Sequence, residues 1–201
     1  MSKKKKESNN LFPVFLKLEN LQTLLVGGGK IGLEKLNAII NNSPAASVTL
    51  VATEISKKIR KLAEDYPSVL LKEKSFEPID MDGKDIVIVA VNDKAISQYI
   101  QTVAKEKKIL INVADTPGLC DFYLSSVVKK GNLKIAISTN GKSPTIAKRI
   151  KENLDEVLPN KIDKILDNME AIRKKMNGNF ALKVKKLNKV TKLLAITDKT
   201  K

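Results

Sequence analysis

Three short stretches hold residue types whose spacing could do chemistry. The first, Gly27-Gly28-Gly29-Lys30-Ile31-Gly32, contains the pattern G-x-G-x-x-G between an apolar run and a helical period. Glycines at these steps allow a tight turn, a close backbone approach to a pyrophosphate and close packing of the following helix. The N-terminus of that helix would offer unpaired N–H groups to phosphate oxygens. An acidic residue about 20 positions further on would bind a ribose hydroxyl. After the next apolar run stands Ala52-Thr53-Glu54, and Glu54 is the one candidate. No arginine immediately follows that run to take a 2′-phosphate, which favours NAD over NADP.

The second stretch, Asn112-Val113-Ala114-Asp115, closes another apolar run. Open α/β sheets bind ligands at the carboxyl ends of their strands. A carboxylate there could act as a general base, or it could be a solvated loop residue or a cap. Cys120 has no histidine to activate it and reads as structural. The third stretch, Ser138-Thr139-Asn140-Gly141-Lys142-Ser143-Pro144, resembles the end of a phosphate-binding P-loop. That reading fails, because the first glycine of the motif would fall at Ala136 and Pro144 follows the serine. What remains is a strand leading into a helix N-terminus, with Lys142, Lys148 and Arg149 nearby. It suits either a carboxylate or phosphate ligand or a plain capped turn.

The elements that must position these residues alternate regularly. Strands are expected over 22–26, 47–52, 69–71, 85–91 and 109–113, with helices over 30–41, 55–65 and 95–107 between them. The run Asp85–Val91 is apolar at every position after its aspartate, as a strand covered on both faces must be. This rhythm predicts an α/β fold with a doubly wound parallel sheet. After Asp115 the rhythm changes to two strand-like runs, 122–128 and 133–138, joined by the basic turn Lys129-Lys130-Gly131-Asn132. A helix then starts at Ser143-Pro144 with Ile146, Ile150, Leu154 and Val157 on one stripe. Two more follow, one from Ile162 to Met176 and broken at Asn177-Gly178, the other from Phe180 to about Leu194.

Composition narrows the chemistry. The 201 residues contain no histidine, which excludes Ser-His-Asp and Cys-His catalysis and histidine-ligated zinc or haem. A single cysteine excludes an internal disulfide framework and fits a reducing compartment. No apolar run is long enough to span a bilayer, and the start lacks an apolar signal region, so a cytoplasmic location is expected. The net charge of +15 is carried mostly at the ends: +3 over residues 1–10, +8 over 161–201 and only +4 between. Lys3–Lys6 read as a disordered solubilising tail.

Taken in order, Phe12-Pro13-Val14-Phe15-Leu16, VGGGKIG (26–32), AVND (90–93), NVAD (112–115), LCDF (119–122) and IAISTNGKSP (135–144) are similar to the precorrin-2 dehydrogenase/sirohydrochlorin ferrochelatase family, over Leu11 to Pro159. Gly32 stands where alanine is usual and Asn140 where a second glycine is usual; asparagine tolerates left-handed backbone, so that turn is expected to survive. The resemblance implies NAD-dependent oxidation of precorrin-2 to sirohydrochlorin, in some members followed by insertion of ferrous iron. It also implies a homodimer with a Rossmann-like nucleotide domain (11–115), a small strand-rich dimerisation region (116–142) and a helical C-terminal domain (143–201), after a basic tail (1–10). The catalytic aspartate of the family falls on Asp115. Its NAD contacts fall on Gly27, Gly28, Gly29, Lys30, Ile31 and Gly32, on Thr53 and Glu54, and on Val91 and Asn92. The corner formed by Thr139, Asn140, Gly141, Lys142 and Ser143, with Arg149, is expected to bind the substrate, and no resident metal is expected. A tetrapyrrole polycarboxylate suits a basic protein. Lys183, Lys185 and Lys186 are therefore expected to border its cleft. The rival readings are a nucleotide-sensing module whose basic helices bind nucleic acid, and a tetrapyrrole chelatase or carrier without dehydrogenase activity. The first lacks a helix-turn-helix signature and has only 8 aromatic residues for stacking.

Overall fold

The computed structural model describes residues 8–159, 162–175 and 180–190. Lys3–Lys6, Met176, Asn177-Gly178 and Leu194 lie outside the described residues, as do the side chains of Lys183 and Lys186; Lys185 is exposed. The chain divides into two compact units. The first runs to Ser125 and includes Ser138–Pro144; the second comprises Ser126–Ile137 and the residues from Thr145 onward. The loops 116–125 and 138–142, grouped by sequence with the strand-rich region, thus fall in the first unit.

In the first unit, β1 (Gln22–Val26), β2 (Ser47–Ala52), β3 (Val69–Glu73), β4 (Ile86–Val89) and β5 (Leu110–Val113) form one parallel sheet of order β3-β2-β1-β4-β5. The helices α1 (Lys30–Asn42), α2 (Lys57–Glu64) and α3 (Lys94–Glu106) are its crossovers. This is the doubly wound, Rossmann-like arrangement that the alternating pattern predicts. Two apolar layers hold it. Leu25, Leu50, Ile86 and Ile88 pack with Leu36, Ile39 and Ile40 of α1 and Ile59 of α2 on one face. Leu24, Val51, Val87 and Val89 pack with Ile100, Val103 and Ala104 of α3 on the other. All four residues of β4 are buried, two to each layer, so its unbroken apolar run has a physical use.

The register sets the functional edge. Val26 pairs with both Val51 and Val89, and Val89 pairs with Val113. The carboxyl ends of β1, β2, β4 and β5 are therefore level, and the loops leaving them emerge along one line.

In the second unit, β6 (Ser126–Lys130) and β7 (Leu133–Ile137) form an antiparallel hairpin that turns at Gly131, φ +56°. The space a Cβ would need there is filled by the Asp163 carboxylate, which also accepts the Asn132 N–H at 2.7 Å. The helices α4 (Pro144–Val157), α5 (Ile162–Lys175) and α6 (Phe180–Val190) follow. Most of the apolar stripe of α4 is exposed at Ile146, Ile150 and Val157.

One strand starts later than its sequence suggests. The run from Phe122 pairs as a strand only from Ser126, because residues 121–122 are held by β5 instead. Asp121 N–H donates to Ile111 O (2.8 Å), Ile111 N–H to Asp121 Oδ2 (3.1 Å) and Asn112 Nδ2 to Phe122 O (2.8 Å). Phe122 itself packs against the Leu25 layer.

Candidate functional site

The glycine loop is built by close approach. Gly27 has φ +125°, and a Cβ on it would run into the Ala90 carbonyl. Its N–H donates to Val51 O (2.9 Å), while Ala90 N–H donates to Val26 O (2.7 Å). The space beside Gly28 is taken by the Glu54 carbonyl, and that beside Gly32 by the Gly27 carbonyl. Gly32 thus lets α1 press directly on the loop. Gly29, by contrast, has none of the described residues within 4 Å of the position its Cβ would take.

Gly29 is the N-cap of α1 and offers no side-chain cap to the helix. The first N–H groups of a helix have no intrahelical acceptor. Those at Lys30 and Ile31 are therefore free of intrahelical partners, with the positive end of the helix dipole behind them. Gly29, Lys30 and Ile31 thus fit the pyrophosphate of a dinucleotide.

The other cofactor expectations lie on the same edge. Thr53 and Glu54 are exposed just past β2, on a loop whose next residue, Ile55, is buried. Ser56 N–H donates to Gly28 O (3.0 Å), tying this loop to the glycine turn, and Ser56 Oγ is buried without a partner among the described residues. Val91 is half-buried and Asn92 exposed past β4. Their neighbour Asp93 caps α3, its Oδ1 accepting Ile96 N–H at 3.0 Å.

Asp115 follows β5 on the same edge. It is exposed, has φ +56°, and among the described residues its carboxylate makes no hydrogen bond or ion pair. The loop carrying it is held from below. Ala114 N–H donates to Val89 O (2.9 Å), and Cys120 Sγ accepts Val113 N–H (3.2 Å) and faces the Val113 and Thr116 carbonyls. Burial pushes the Cys120 thiol above its ordinary pKa, so the sulfur is a neutral anchor. This agrees with the structural reading of that cysteine.

The corner at Thr139–Ser143 belongs to the same unit. Thr139 Oγ1 donates to Ser143 O and accepts Ser143 N–H, both at 3.1 Å, closing the turn. Asn140 (φ +53°) and Gly141 (φ +72°) are both left-handed, so asparagine does hold the position where a glycine is usual. A Cβ on Gly141 would meet Pro117 Cγ at 3.9 Å, which puts this corner beside the Asp115 loop. Lys142 is exposed. Arg149 lies in the second unit on α4, its Nη1 3.3 Å from Glu152 Oε2.

Pattern reading missed one pair at this edge, Glu73 and Arg60. Glu73 Oε1 accepts Ile55 N–H at 3.0 Å and meets Arg60 Nη2 at 2.6 Å. Both bonds, led by that to Arg60, hold the Glu73 carboxyl below its usual pKa. The signal lay in an acidic residue at the end of a short strand, which is common enough to pass unnoticed. Among the described residues no group of three or more Cys, Asp or Glu side chains could hold a metal, and no helix is long and apolar enough to cross a membrane.

Comparison with known proteins agrees with this arrangement. Residues 14–126 match the family model described as "Putative NAD(P)-binding", and residues 130–156 match "Sirohaem biosynthesis protein central". A siroheme synthase of Methylococcus capsulatus is 34% identical over 149 residues, covering 74% of this chain and 31% of that protein. One of Vesicomyosocius okutanii is 31% identical over 176 residues, covering 88% and 35%. The chain therefore spans about a third of the length of these relatives. A solved structure named "SirC, precorrin-2 dehydrogenase" shares the fold with a TM-score of 0.71 at 24% identity, covering 90% of this chain and 89% of that one. With the glycine turn, the level strand ends and both family segments in this order, the chain belongs to the NAD(P)-binding family of sirohaem biosynthesis.

Proposed function

We propose that this protein oxidises precorrin-2 to sirohydrochlorin with NAD+ as the electron acceptor. The observation that carries the reading is the shared sheet edge. There the glycine turn and the uncapped start of α1 stand level with an exposed carboxylate, Asp115, that has no partner among the described residues. When bound, NAD+ supplies the two-electron acceptor. The chain supplies the rest. Gly27, Gly28 and Gly32 admit the backbone approach, the N–H groups at Lys30 and Ile31 take phosphate oxygens, and Thr53, Glu54, Val91 and Asn92 line the nucleoside ends. Asp115 takes the proton that leaves the tetrapyrrole carbon framework as the electron pair departs. The Thr139–Ser143 corner, with Lys142, holds substrate carboxylates by charge-assisted hydrogen bonds.

Iron insertion is the second step to test with the same protein. Ferrous iron would be a substrate there, and Asp115 the acceptor of the pyrrole protons. Assembly as a homodimer is supported by the apolar side chains left exposed on the helices of the second unit, among them Ile146, Ile150, Leu166 and Ile172.

The deciding experiment is a paired assay. Precorrin-2 with NAD+ should yield NADH and the sirohydrochlorin spectrum; sirohydrochlorin with ferrous iron then reports chelation. A protein that binds NAD+ yet forms no NADH from precorrin-2 would be a carrier or chelatase. Salt-sensitive DNA binding in place of turnover would support the nucleic-acid reading.

A further inference from the structure

The loop that delivers Thr53 and Glu54 is anchored from two sides, and one anchor has no part in the glycine fingerprint. On one side, Ser56 N–H reaches Gly28 O. On the other, Glu73 accepts the Ile55 N–H and the Arg60 guanidinium on a single oxygen, Oε1. The parallel pairing of Ala52 with Glu73 makes this possible, because it brings the end of β3 level with the point where β2 releases the ribose-binding corner.

This geometry changes an argument made from spacing. No arginine immediately follows β2, yet Arg60, eight residues beyond Ala52, folds back on α2 to this corner. Its guanidinium lies two short contacts, 2.6 and 3.0 Å, from the backbone N–H of the residue next to Glu54. Arginine is the side chain best suited to a phosphate monoester, through its planar fork of donors. In this protein one arm of that fork, Nη2, is already paired with a carboxylate.

We propose that Glu73 determines which dinucleotide the site accepts: by engaging Arg60 and adding its own negative charge beside Thr53 and Glu54, it selects a free ribose 2′-hydroxyl and rejects a 2′-phosphate. The inference rests on the dinucleotide-binding reading above and extends it to specificity. A 2′-phosphate entering this corner meets two carboxylates, Glu54 and Glu73, and a cation already paired with one of them through Nη2. A 2′-hydroxyl meets a carboxylate acceptor and no repulsion. The depressed pKa of Glu73 keeps it charged at neutral pH. Both partners of the pair are nearly half exposed, so the bridge contributes little to folding and can be altered without unfolding the chain.

The test is calorimetric titration of the full chain with NAD+ and, separately, with NADP+. Glu73→Gln keeps an acceptor oxygen for Ile55 N–H but removes the negative charge that pairs with the guanidinium. The wild type should favour NAD+, and Glu73→Gln should move the affinity ratio towards NADP+ by about tenfold, the scale of one charge-assisted contact. The double variant Glu73→Gln/Arg60→Gln should return most of that gain. An unchanged ratio in Glu73→Gln overturns the inference, and so does a gain that persists in full without Arg60. A wild type that binds neither nucleotide overturns the dinucleotide reading itself, and the inference falls with it. A wild type that binds NAD+ but shows no shift in the variant overturns the inference alone.

Discussion

Asp115 occupies left-handed backbone, φ +56°, a conformation that asparagine and aspartate accept more readily than other side chains and that still carries a cost. Cys120, Thr116 and the Ala114 N–H bond to Val89 hold it there, so the strain is sustained by the loop around it. Asp115→Asn keeps the shape and removes the base. Turnover should fall by at least about 100-fold, the lower bound for losing a general base, while calorimetric NAD+ affinity stays within about twofold of the wild type, well under the tenfold that 1.4 kcal/mol represents. Full turnover in this variant would exclude Asp115 as proton acceptor. Cys120 gives a second test at this scale. Its folded-state pKa is raised by burial, so its proton is held more tightly in the folded chain than in the unfolded one. The associated stability is fully present below the ordinary thiol pKa of about 8.5 and is lost as pH rises through the higher folded value. At pH 7.5 the native protein should therefore react with iodoacetamide far more slowly than the urea-unfolded chain, as mass spectrometry of the alkylated fraction would show.

Elements deliver these residues by their ends. Asp93 closes the first turn of α3 and sits directly after Asn92, so one side chain both caps a helix and fixes the loop proposed to rim the cofactor. Asp93→Ala should cost about 1 kcal/mol, the usual worth of an N-cap, lowering the melting temperature by roughly 2–4 °C for a chain of this size. The KM for NAD+ should rise with it. An unchanged melting temperature would mean that the cap is not formed in solution. In the hairpin of β6 and β7, the turn depends on Gly131 and on the Asp163 carboxylate that fills the space beside it. Gly131→Ala meets both a left-handed backbone and an occupied site. It should cost more than the roughly 1–2 kcal/mol of the backbone term alone, measured by urea denaturation.

Across the whole molecule the relevant quantity is charge. A net +15 attracts a polycarboxylate over distances set by the Debye length, about 10 Å at 0.1 M salt. Raising the ionic strength from about 0.02 to about 0.3 M should lower kcat/KM for the tetrapyrrole several-fold and leave kcat nearly unchanged, because screening acts on encounter and not on the bound complex. A kcat/KM insensitive to salt would reduce the excess charge to solvation. The ionic-strength series also separates the terminal charge from the local cations of the 139–143 corner, since short charge-assisted contacts are screened much less than charges far apart.

Local pattern was enough to find the strands and helices, the glycine fingerprint and the carboxylate at the end of the fifth strand. Each rests on residues close together in the chain: Gly27 to Gly32 form one turn, and Ile86–Val89 one strand with an apolar residue at every step. Distance along the chain hid the rest. The level ends of β1, β2, β4 and β5 follow from register between segments tens of residues apart, and no short motif encodes register. Phe122 looks like the start of a strand until β5 is present to bind Asp121 and the Phe122 carbonyl. Arg60 looks too remote for the loop at Thr53 and Glu54 until Ala52 and Glu73 pair across two strands. Sequence by itself determined which groups are candidates for binding a dinucleotide and accepting a proton. Tertiary structure decided which of them meet, because hydrogen-bonded register and ion pairing act through space and not along the chain.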